Sequence, residues 1–319
     1  MTDASAQPSQ AENMVTVVDL RRHFSITKGI LFRRQLGTVR AVDGVTFSIA
    51  RGETFSIVGE SGCGKTTTAR MLLGLEKPSS GTIEFLDSPN GREVQAVFQD
   101  PYSSLNPRMK VGDIVAEPLR GLPGMSRTKA REMAAATIAK VGLDPAIVVG
   151  RYPHMFSGGQ RQRIAIARAI IARPSLVVLD EAVSAIDVSI RAQILNLLVD
   201  LQQELGMAYL MISHDLATVR FISKTVAVMY RGKFVEMASA ENLFANPLHP
   251  YTEILLEASR PRLRLADQEC LDDAEDLVVT DLLCCPLHPF CPKATSVCRA
   301  EAPPIRMVAD RQVACHNVG

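Results

Sequence analysis

The segment from Gly59 to Thr66, GESGCGKT, constrains the fold of this chain more than any other feature of the sequence. It follows an apolar run, ETFSIVG, that is typical of a buried strand, and it precedes TTTARMLLGL, in which the apolar residues have helical spacing. A glycine-rich loop between a strand and a helix turns successive backbone N–H groups toward a phosphate, and the positive end of the helix dipole faces the same ligand. The sequence therefore predicts an α/β domain that binds a nucleoside triphosphate.

Individual residues of this loop have distinct expected roles. Lys65 is expected to contact the β- and γ-phosphate oxygens, and the hydroxyl of Thr66 is expected to bind Mg²⁺. Cys63 is a small side chain at a position where the backbone does the binding. The residues expected around the triphosphate are Gly59, Glu60, Ser61, Gly62, Cys63, Gly64, Lys65, Thr66 and Thr67.

Polar residues follow three further apolar runs. LVVLDE ends in Asp180, which is expected to hold Mg²⁺, and in Glu181, which is expected to deprotonate or orient the attacking water. His214, in MISHDL, is a candidate for stabilising the transferred charge, and the amide of Gln99, in VFQDP, could reach the metal or the water. Taken alone, a histidine or a glutamine at a strand end is an ordinary surface residue, so both candidates depend on the wider pattern.

The run from Phe156 to Arg163, FSGGQRQR, is a glycine-rich turn that opens a basic helix. The first N–H groups of such a helix, together with its dipole, are suited to contact a γ-phosphate. A phosphate loop alone indicates nucleotide binding, whereas the two elements together indicate how two copies close over ATP. The candidate contacts are Ser157, Gly158, Gly159 and Gln160.

These motifs, in this order, resemble those of the nucleotide-binding subunits of ABC transporters. In this chain GESGCGKT resembles Walker A, Gln99 the Q-loop residue, Ser157–Gln160 the signature, LVVLDE Walker B, Ser184–Asp187 the D-loop and His214 the switch histidine. The resemblance covers about residues 14–319. It implies ATP hydrolysis by a head-to-tail dimer, in which ATP on one Walker A loop is closed by the signature residues Ser157 and Gly159 of the other copy.

Three positions refine this resemblance. Ile186 stands where the family most often has leucine, which is a volume-conserving change. Asp187, at the end of the D-loop, joins the residues expected near the nucleotide. Phe24, in RRHFSI, lies about where the family stacks an aromatic ring on adenine, but the insert before Val39 leaves the register ambiguous, and a core aromatic on a strand is the alternative.

The expected fold class is α/β, an ABC-type nucleotide-binding domain with a parallel sheet core, an antiparallel β layer and a helical subdomain, followed by a small cysteine-rich extension. Residues 1–13 are small and polar and are expected to form a disordered tail. Residues 14–245 are expected to form the ATPase domain, with the helical subdomain at about 103–170. Residues 246–319 are the C-terminal extension.

Composition and charge disfavour several other classes of protein. A net charge of +1 over 319 residues gives no sign of a nucleic-acid surface. Charges interrupt every apolar run before it reaches the length of a membrane span, and the N-terminus lacks the basic start and apolar core of a secretion signal. A cytoplasmic compartment is therefore expected.

The resemblance implies partners in a membrane. They are two transmembrane permease subunits, which would dock near residues 100–125, a second homologous ATPase subunit that makes a heterodimer, and an extracytoplasmic substrate-binding protein. The chain itself would be a peripheral subunit on the cytoplasmic face of the inner membrane.

Six of the seven cysteines lie in the last fifty residues. In a reducing compartment such a cluster indicates a metal site rather than a disulfide framework. Cys285, Cys291, Cys298 and Cys315 could bind a [4Fe–4S] cluster, which the resemblance favours, or Zn²⁺, or they could remain free thiols. Cys284 is an alternative first ligand.

Several segments resemble the ATPases of bacterial oligopeptide and dipeptide importers, namely VFQDPYSSLNPRMKVGDIVAEPL, NPLHPYTEILLEAS and CPLHPFCPKATSVC. The same motor could instead move nickel, glutathione or an opine-like compound, because the cargo does not contact this chain. A soluble ABC ATPase of DNA repair or translation is an alternative from another class, but the chain has neither two nucleotide domains nor a large zinc insertion. A redox or iron sensor built on the cysteines is a further alternative.

Overall fold

A computed structural model describes residues 12–28, 34–86, 94–100, 104–184, 186–259 and 284–318. Most of the predicted tail at 1–13, Ala185 of the D-loop and Cys270 fall outside these residues. The strands are β1 (Asn13–Lys28), β2 (Arg34–Ala50), β3 (Thr54–Val58), β4 (Ser80–Phe85), β5 (Val94–Phe98), β6 (Leu176–Asp180), β7 (Ala208–Ile212), β8 (Thr225–Tyr230), β9 (Lys233–Ser239), β10 (Arg306–Val308) and β11 (Arg311–Val313). The helices are α1 (Lys65–Leu72), α2 (Val111–Val115), α3 (Arg127–Lys140), α4 (Pro145–Val148), α5 (Gly158–Ile170), α6 (Val188–Leu205), α7 (Leu216–Ile222), α8 (Ala240–Ala245), α9 (Pro250–Ala258) and α10 (Ser296–Ala300), with 3₁₀ turns at Glu117–Leu119 and Pro153–Met155.

A three-stranded antiparallel sheet forms one layer, in the order β2-β1-β4. Val17 of β1 lies opposite both Phe47 of β2 and Ile83 of β4. Val15 and Val17 are fully buried, whereas the next residue, Val18, is 46% exposed. The alternation follows the two-residue period of a strand with one face against the core.

The central sheet contains five parallel strands in the order β8-β3-β7-β6-β5. Every residue of β3 and of β7 is buried. Strands covered on both faces need no polar alternation, which is why these segments read as continuous apolar runs in the sequence.

The C-terminal extension continues this same sheet. Strand β9 pairs antiparallel with β8, β11 pairs antiparallel with β9, and β10 closes the edge. The β11 contacts place Val313 opposite Glu236 and Gln312 opposite Met237. The last two strands of the chain that the structure describes therefore belong to the sheet that carries the phosphate loop.

Alternate residues of the parallel strands enter two hydrophobic cores. Val177 and Leu179 pack in the cluster that includes the helices α2 to α5, and Leu176 and Val178 pack in the cluster that includes α1 and the antiparallel layer. Among the described residues, no helix has the length and apolar character needed to cross a membrane. The central sheet thus lies between a helical layer on one face and the antiparallel β layer on the other.

Candidate functional site

The phosphate loop runs from the end of β3 to the start of α1 and is pressed against neighbouring backbone. Gly59 has φ 150° and Gly64 has φ 114°. A Cβ atom on Gly59 would lie 2.2 Å from the carbonyl oxygen of Met229 in β8. A Cβ atom on Gly64 would lie 2.1 Å from the carbonyl oxygen of Ala41 in β2. A side chain at Gly59 would displace the loop from β8, and one at Gly64 would displace it from β2.

The Lys65 side chain is folded over the loop and is only 6% exposed. Its Nζ atom donates to the carbonyl oxygen of Gly59 at 2.8 Å and to that of Glu60 at 2.7 Å. Thr66, the next residue of α1, is exposed. An ammonium group and a hydroxyl group therefore lie together at the positive end of this helix.

Asp180 lies half-buried at the end of β6. Burial raises the pKa of its carboxyl group and the charge of Glu181 raises it further, while Arg70 and Lys65 act in the opposite direction. Asp180 therefore lies close enough to the phosphate loop for the charge of Lys65 to act on its carboxyl group. Hydroxyl and carboxylate oxygens are the ligands that Mg²⁺ prefers, so Thr66 and Asp180 fit a magnesium ion beside a bound triphosphate.

The ends of three parallel strands bring the remaining candidates to one edge of the sheet. Phe98 of β5 is in register with Asp180 of β6, and Asp180 is in register with Ile212 of β7. Ligands of open α/β sheets bind at the carboxyl ends of such strands. The residues that follow these strands are Gln99, Glu181 and His214.

Glu181 and His214 are in direct contact. The His214 Nδ1 atom lies 3.1 Å from Glu181 Oε1. Glu181 has φ 50°, an uncommon conformation for a residue other than glycine, and its N–H donates to the carbonyl oxygen of Ile212 at 2.9 Å. Strained residues of this kind persist when surrounding contacts hold them. Here the hydrogen bond to Ile212 holds the Glu181 backbone, and the Glu181 carboxylate lies against His214. Gln99 is exposed at the same edge.

Sequence reasoning missed Arg191, which lies on α6 and joins two of the motif loops. Its Nη1 atom donates to Asp215 Oδ2 at 2.6 Å, and its Nη2 atom donates to the carbonyl oxygens of Ser184 and Ile186 at 3.4 and 3.2 Å. Asp215 caps α7 and directly follows His214. One guanidinium group therefore ties the D-loop to the loop of the switch histidine, and no local pattern in the sequence signals it.

The signature residues open α5. The Ser157 side chain accepts from the Gln160 N–H at 3.4 Å, and the Gln160 side chain accepts from the Ser157 N–H at 3.0 Å, which makes a reciprocal capping box. Gly159 is buried, and a Cβ atom on it would lie 2.6 Å from Ile190 Cγ2. Ser157, Gly158 and Gln160 are exposed. The helix start thus presents a polar surface to solvent while Gly159 holds it against α6.

Two residues that were expected near the nucleotide, Phe24 and Asp187, lie at the surface. Phe24 is 36% exposed, pairs with Val39 across the β1–β2 ladder and stacks under the Arg22 guanidinium, 4.4 Å from the ring centroid. Phe24 is therefore not a core aromatic. Asp187 is exposed at the start of α6, and its side chain makes no capping hydrogen bond to that helix.

The cysteines of the extension lie near one another. Burial raises the pKa of Cys285 and of Cys315, and the negative charges of neighbouring cysteines, including Cys291 and Cys298, raise both further. Asn317 donates to the sulfurs of Cys315 and Cys298 at 3.4 and 3.6 Å. Nevertheless, within the described ranges no group of three or more histidine, cysteine or acidic side chains is arranged to hold a metal ion. The donor chemistry fits a metal site, but the arrangement of the side chains does not form one.

Comparison with family models identifies two segments. Residues 42–184 match the model described as ABC transporter. Residues 235–298 match the model described as oligopeptide/dipeptide transporter, C-terminal region. The second match overlaps β9 and contains α9 and five of the six cysteines of the extension.

Comparison with whole proteins extends the similarity to nearly the full chain. A di/tripeptide transport ATP-binding protein, DppF, of Pseudomonas aeruginosa is 45% identical over 96% of this chain and 98% of its own length. An oligopeptide transport ATP-binding protein, AppF, of Bacillus subtilis is 43% identical over 96% of this chain and 98% of its own length.

Among solved structures, cbiO1 of Clostridium perfringens, part of an ABC transporter complex, is 26% identical with a TM-score of 0.62 and covers 74% of this chain and 92% of its own. A dimeric ATP-binding cassette in a post-hydrolysis state with ADP and phosphate is also 26% identical, with a TM-score of 0.60, over 71% of this chain and 99% of its own. This chain belongs to the ATP-binding proteins of ABC transporters, in the oligopeptide/dipeptide family.

Proposed function

We propose that this chain is the subunit that hydrolyses ATP to power the import of oligopeptides or dipeptides through a membrane ABC transporter. The observation that carries the proposal is the similarity, over 96% of the chain, to peptide transport ATP-binding proteins of two distant bacteria. The match of residues 235–298 to the C-terminal region of peptide transporters supports the same cargo class. Proteins of this family hydrolyse ATP, so the chain is an ATP hydrolase.

In this proposal the phosphate loop binds the triphosphate, and Lys65 contacts its β- and γ-oxygens. Thr66, Asp180 and the amide of Gln99 hold Mg²⁺, which when bound neutralises charge on those oxygens. Thr66 and Asp180 supply the hydroxyl and the carboxylate at the positive end of α1, and Gln99 is exposed at the same strand edge.

Glu181 is the residue that orients or deprotonates the attacking water. Its contact with His214 at 3.1 Å supports a joint role, in which the histidine fixes the carboxylate and stabilises the transferred charge. The φ of 50° at Glu181 supports a carboxylate held in one orientation before ATP arrives.

Two chains would complete each ATP site. The exposed signature start, with Ser157, Gly158 and Gln160 at the N-terminus of α5, offers N–H donors to the γ-phosphate bound on a second ATPase subunit. We assign Phe24 to the adenine ring and Asp187 to the residues near the nucleotide, and both are exposed. The proposed assembly contains a second, homologous ATPase, two permease subunits and a substrate-binding protein, with this chain on the cytoplasmic face of the inner membrane.

The test is uptake by the reconstituted complex in proteoliposomes. ATP inside the vesicles should drive accumulation of a labelled dipeptide, and Glu181→Gln should abolish uptake while ATP still binds. Accumulation of nickel, glutathione or an opine-like compound in place of peptides would keep the motor and replace the cargo. ATP hydrolysis that is never coupled to uptake of any of these would overturn the transport proposal.

The proposed division of the chain is an ATPase domain at 14–245, with its helical subdomain at about 103–170, and the C-terminal extension at 246–319. We further propose that Cys285, Cys291, Cys298 and Cys315 bind a [4Fe–4S] cluster, with Zn²⁺ as the alternative. The proposal rests on four thiols that lie close enough to influence one another and on N–H donors directed at two of the sulfurs. These cysteines would have to move from their positions in the structure to do so.

Anaerobic purification followed by iron, sulfide and zinc analysis tests this assignment. About four irons and four sulfides per chain are expected, with loss of both in Cys291→Ser and retention in the control Cys270→Ser. One zinc without sulfide would select the alternative. A chain with neither metal nor sulfide would overturn both.

A further inference from the structure

One side chain of the C-terminal extension reaches the phosphate loop. Tyr251 lies in the first turn of α9, only 2% of it is exposed, and its hydroxyl oxygen accepts a hydrogen bond from the Glu60 N–H at 3.1 Å. The two residues are 191 positions apart in the chain. Burial raises the pKa of Tyr251, so the phenol stays neutral.

This bond holds one end of a peptide group whose other end is held by the phosphate-binding lysine. The N–H of Glu60 and the carbonyl oxygen of Gly59 belong to the same planar peptide. The carbonyl oxygen accepts from Lys65 Nζ at 2.8 Å, while the N–H donates to Tyr251 at 3.1 Å. The orientation of this peptide therefore fixes where the Lys65 ammonium group lies.

The two ends respond differently when ATP binds. An ammonium group has three N–H donors, and two of those of Lys65 are directed at the carbonyl oxygens of Gly59 and Glu60. Phosphate oxygens compete for these two ammonium donors, whereas the Glu60 N–H is already directed at the oxygen of the buried Tyr251 side chain. We therefore expect the Tyr251 bond to restrain the peptide while ATP draws on the Lys65 ammonium group.

The extension in turn holds Tyr251. His249 Nδ1 accepts from the Tyr251 N–H at 3.0 Å, and the His249 N–H donates to the buried Glu236 carboxylate at 2.9 Å. Arg311 of β11 lies 3.9 Å from the same carboxylate. The Tyr251 ring packs on the Tyr230 ring with centroids 4.5 Å apart. A continuous set of contacts therefore runs from β11 to the phosphate loop.

We propose that Tyr251 is a positioning residue for ATP binding, which preorganises the Gly59–Glu60 peptide and with it the Lys65 ammonium group, and through which the C-terminal extension acts on the nucleotide site. The inference rests on the proposed function only in requiring that the chain binds ATP. It concerns a residue that the phosphate-loop motif does not contain.

Tyr251→Phe tests the inference because it removes one oxygen and keeps the ring. Without its acceptor, the Glu60 N–H relaxes toward other partners in the free loop, and ATP must restore the productive orientation on binding. The free-energy cost of restoring that orientation, about that of one hydrogen bond, lowers the expected ATP affinity about fivefold or more. The rate at saturating ATP should stay within about twofold, because Glu181 and His214 lie on other loops. Tyr230→Phe is the matched control, since it removes a hydroxyl from the adjacent stacked ring and should leave ATP affinity unchanged.

The measurements are the Kd of ATP for the full-length chain, KM and kcat for hydrolysis, and the urea midpoint without nucleotide. A rise in Kd and KM in Tyr251→Phe alone, at unchanged kcat, supports the proposal. Equal ATP affinity in the wild type and in Tyr251→Phe, whatever the change in urea midpoint, would reduce Tyr251 to a packing residue and overturn it. If the wild-type chain itself failed to bind and hydrolyse ATP, the proposed function would fail instead, so the two failures are distinguishable.

Discussion

Stability below neutral pH should depend on one buried histidine, His249. Only 2% of this residue is exposed, and burial lowers its pKa from 6.5 to about 4, against an opposing hydrogen bond with the backbone of Ala314. The folded protein therefore favours the neutral ring, whose Nδ1 atom accepts from the Tyr251 N–H at 3.0 Å. Because Nδ1 is the acceptor, the proton of the neutral ring lies on Nε2.

The sign and size of the effect follow from linkage. The folded pKa is lower than the unfolded one, so the contribution of His249 is complete above about pH 6.5 and is lost as the pH falls toward and below about 4. A difference of about 2.5 pH units corresponds to about 3 kcal/mol when the loss is complete. Between about pH 8 and about pH 5 the loss is about 2 kcal/mol of unfolding free energy.

Urea unfolding at both pH values, on the wild type and on His249→Asn, measures this contribution. Asparagine can cap α9 with its side-chain oxygen but does not titrate in this range. Other ionisable groups are common to both proteins, so the wild type should lose about 2 kcal/mol more than the variant on acidification. An equal loss in the two proteins, within about 0.5 kcal/mol, would refute the reasoning.

Three further variants probe the site itself. Glu181→Gln should lower ATP turnover about 100-fold or more while the Kd of ATP stays the same, and unchanged turnover would remove Glu181 from its assigned role. Gly159→Ala should reduce turnover of the assembled transporter, because the new Cβ would lie 2.6 Å from Ile190 Cγ2, and it should leave ATP binding by the isolated chain unchanged. Adding Ile190→Ala should restore turnover, and failure of this rescue would contradict the steric account. Arg191→Met should cost about 1 kcal/mol of stability through the partly buried pair with Asp215, and it should lower kcat at unchanged KM. A stability loss with normal kcat would show that the arginine only supports the fold.

The buried strands and the phosphate loop could be predicted because each has a local pattern in the sequence. ETFSIVG and AYLMI lack polar alternation since β3 and β7 are covered on both faces. The glycines of the loop are informative for the same reason, because only glycine fits where Gly59 and Gly64 meet neighbouring backbone. Patterns of this kind need no knowledge of distant parts of the chain.

Contacts between distant segments could not be predicted from local patterns. Three such contacts depend on how the finished strands and helices pack against one another. They are the pairing of Val313 with Glu236, the hydrogen bond from Glu60 to Tyr251 and the hydrogen bonds that Arg191 donates to two loops. Phe24 shows the same limit, because its sequence context left a core aromatic and an adenine-stacking aromatic equally open, and in the structure the ring lies at the surface. The cysteine spacings predicted that thiols would lie close together, but spacing does not determine whether the sulfurs point at one centre.

A buried carboxylate shows why the extension cannot be a passive appendage of the ATPase domain. Glu236 of β9 is 1% exposed, and an ionised carboxylate in that position requires compensating donors. The N–H groups of Leu248 and His249 donate to this carboxylate at 3.0 and 2.9 Å, and the Arg311 guanidinium is its ion-pair partner at 3.9 Å. All three belong to the extension, while Glu236 belongs to the sheet that ends in the phosphate loop. A chain that ended at residue 245 would lack all three of these partners, so the extension completes the surroundings of a residue in the ATPase sheet.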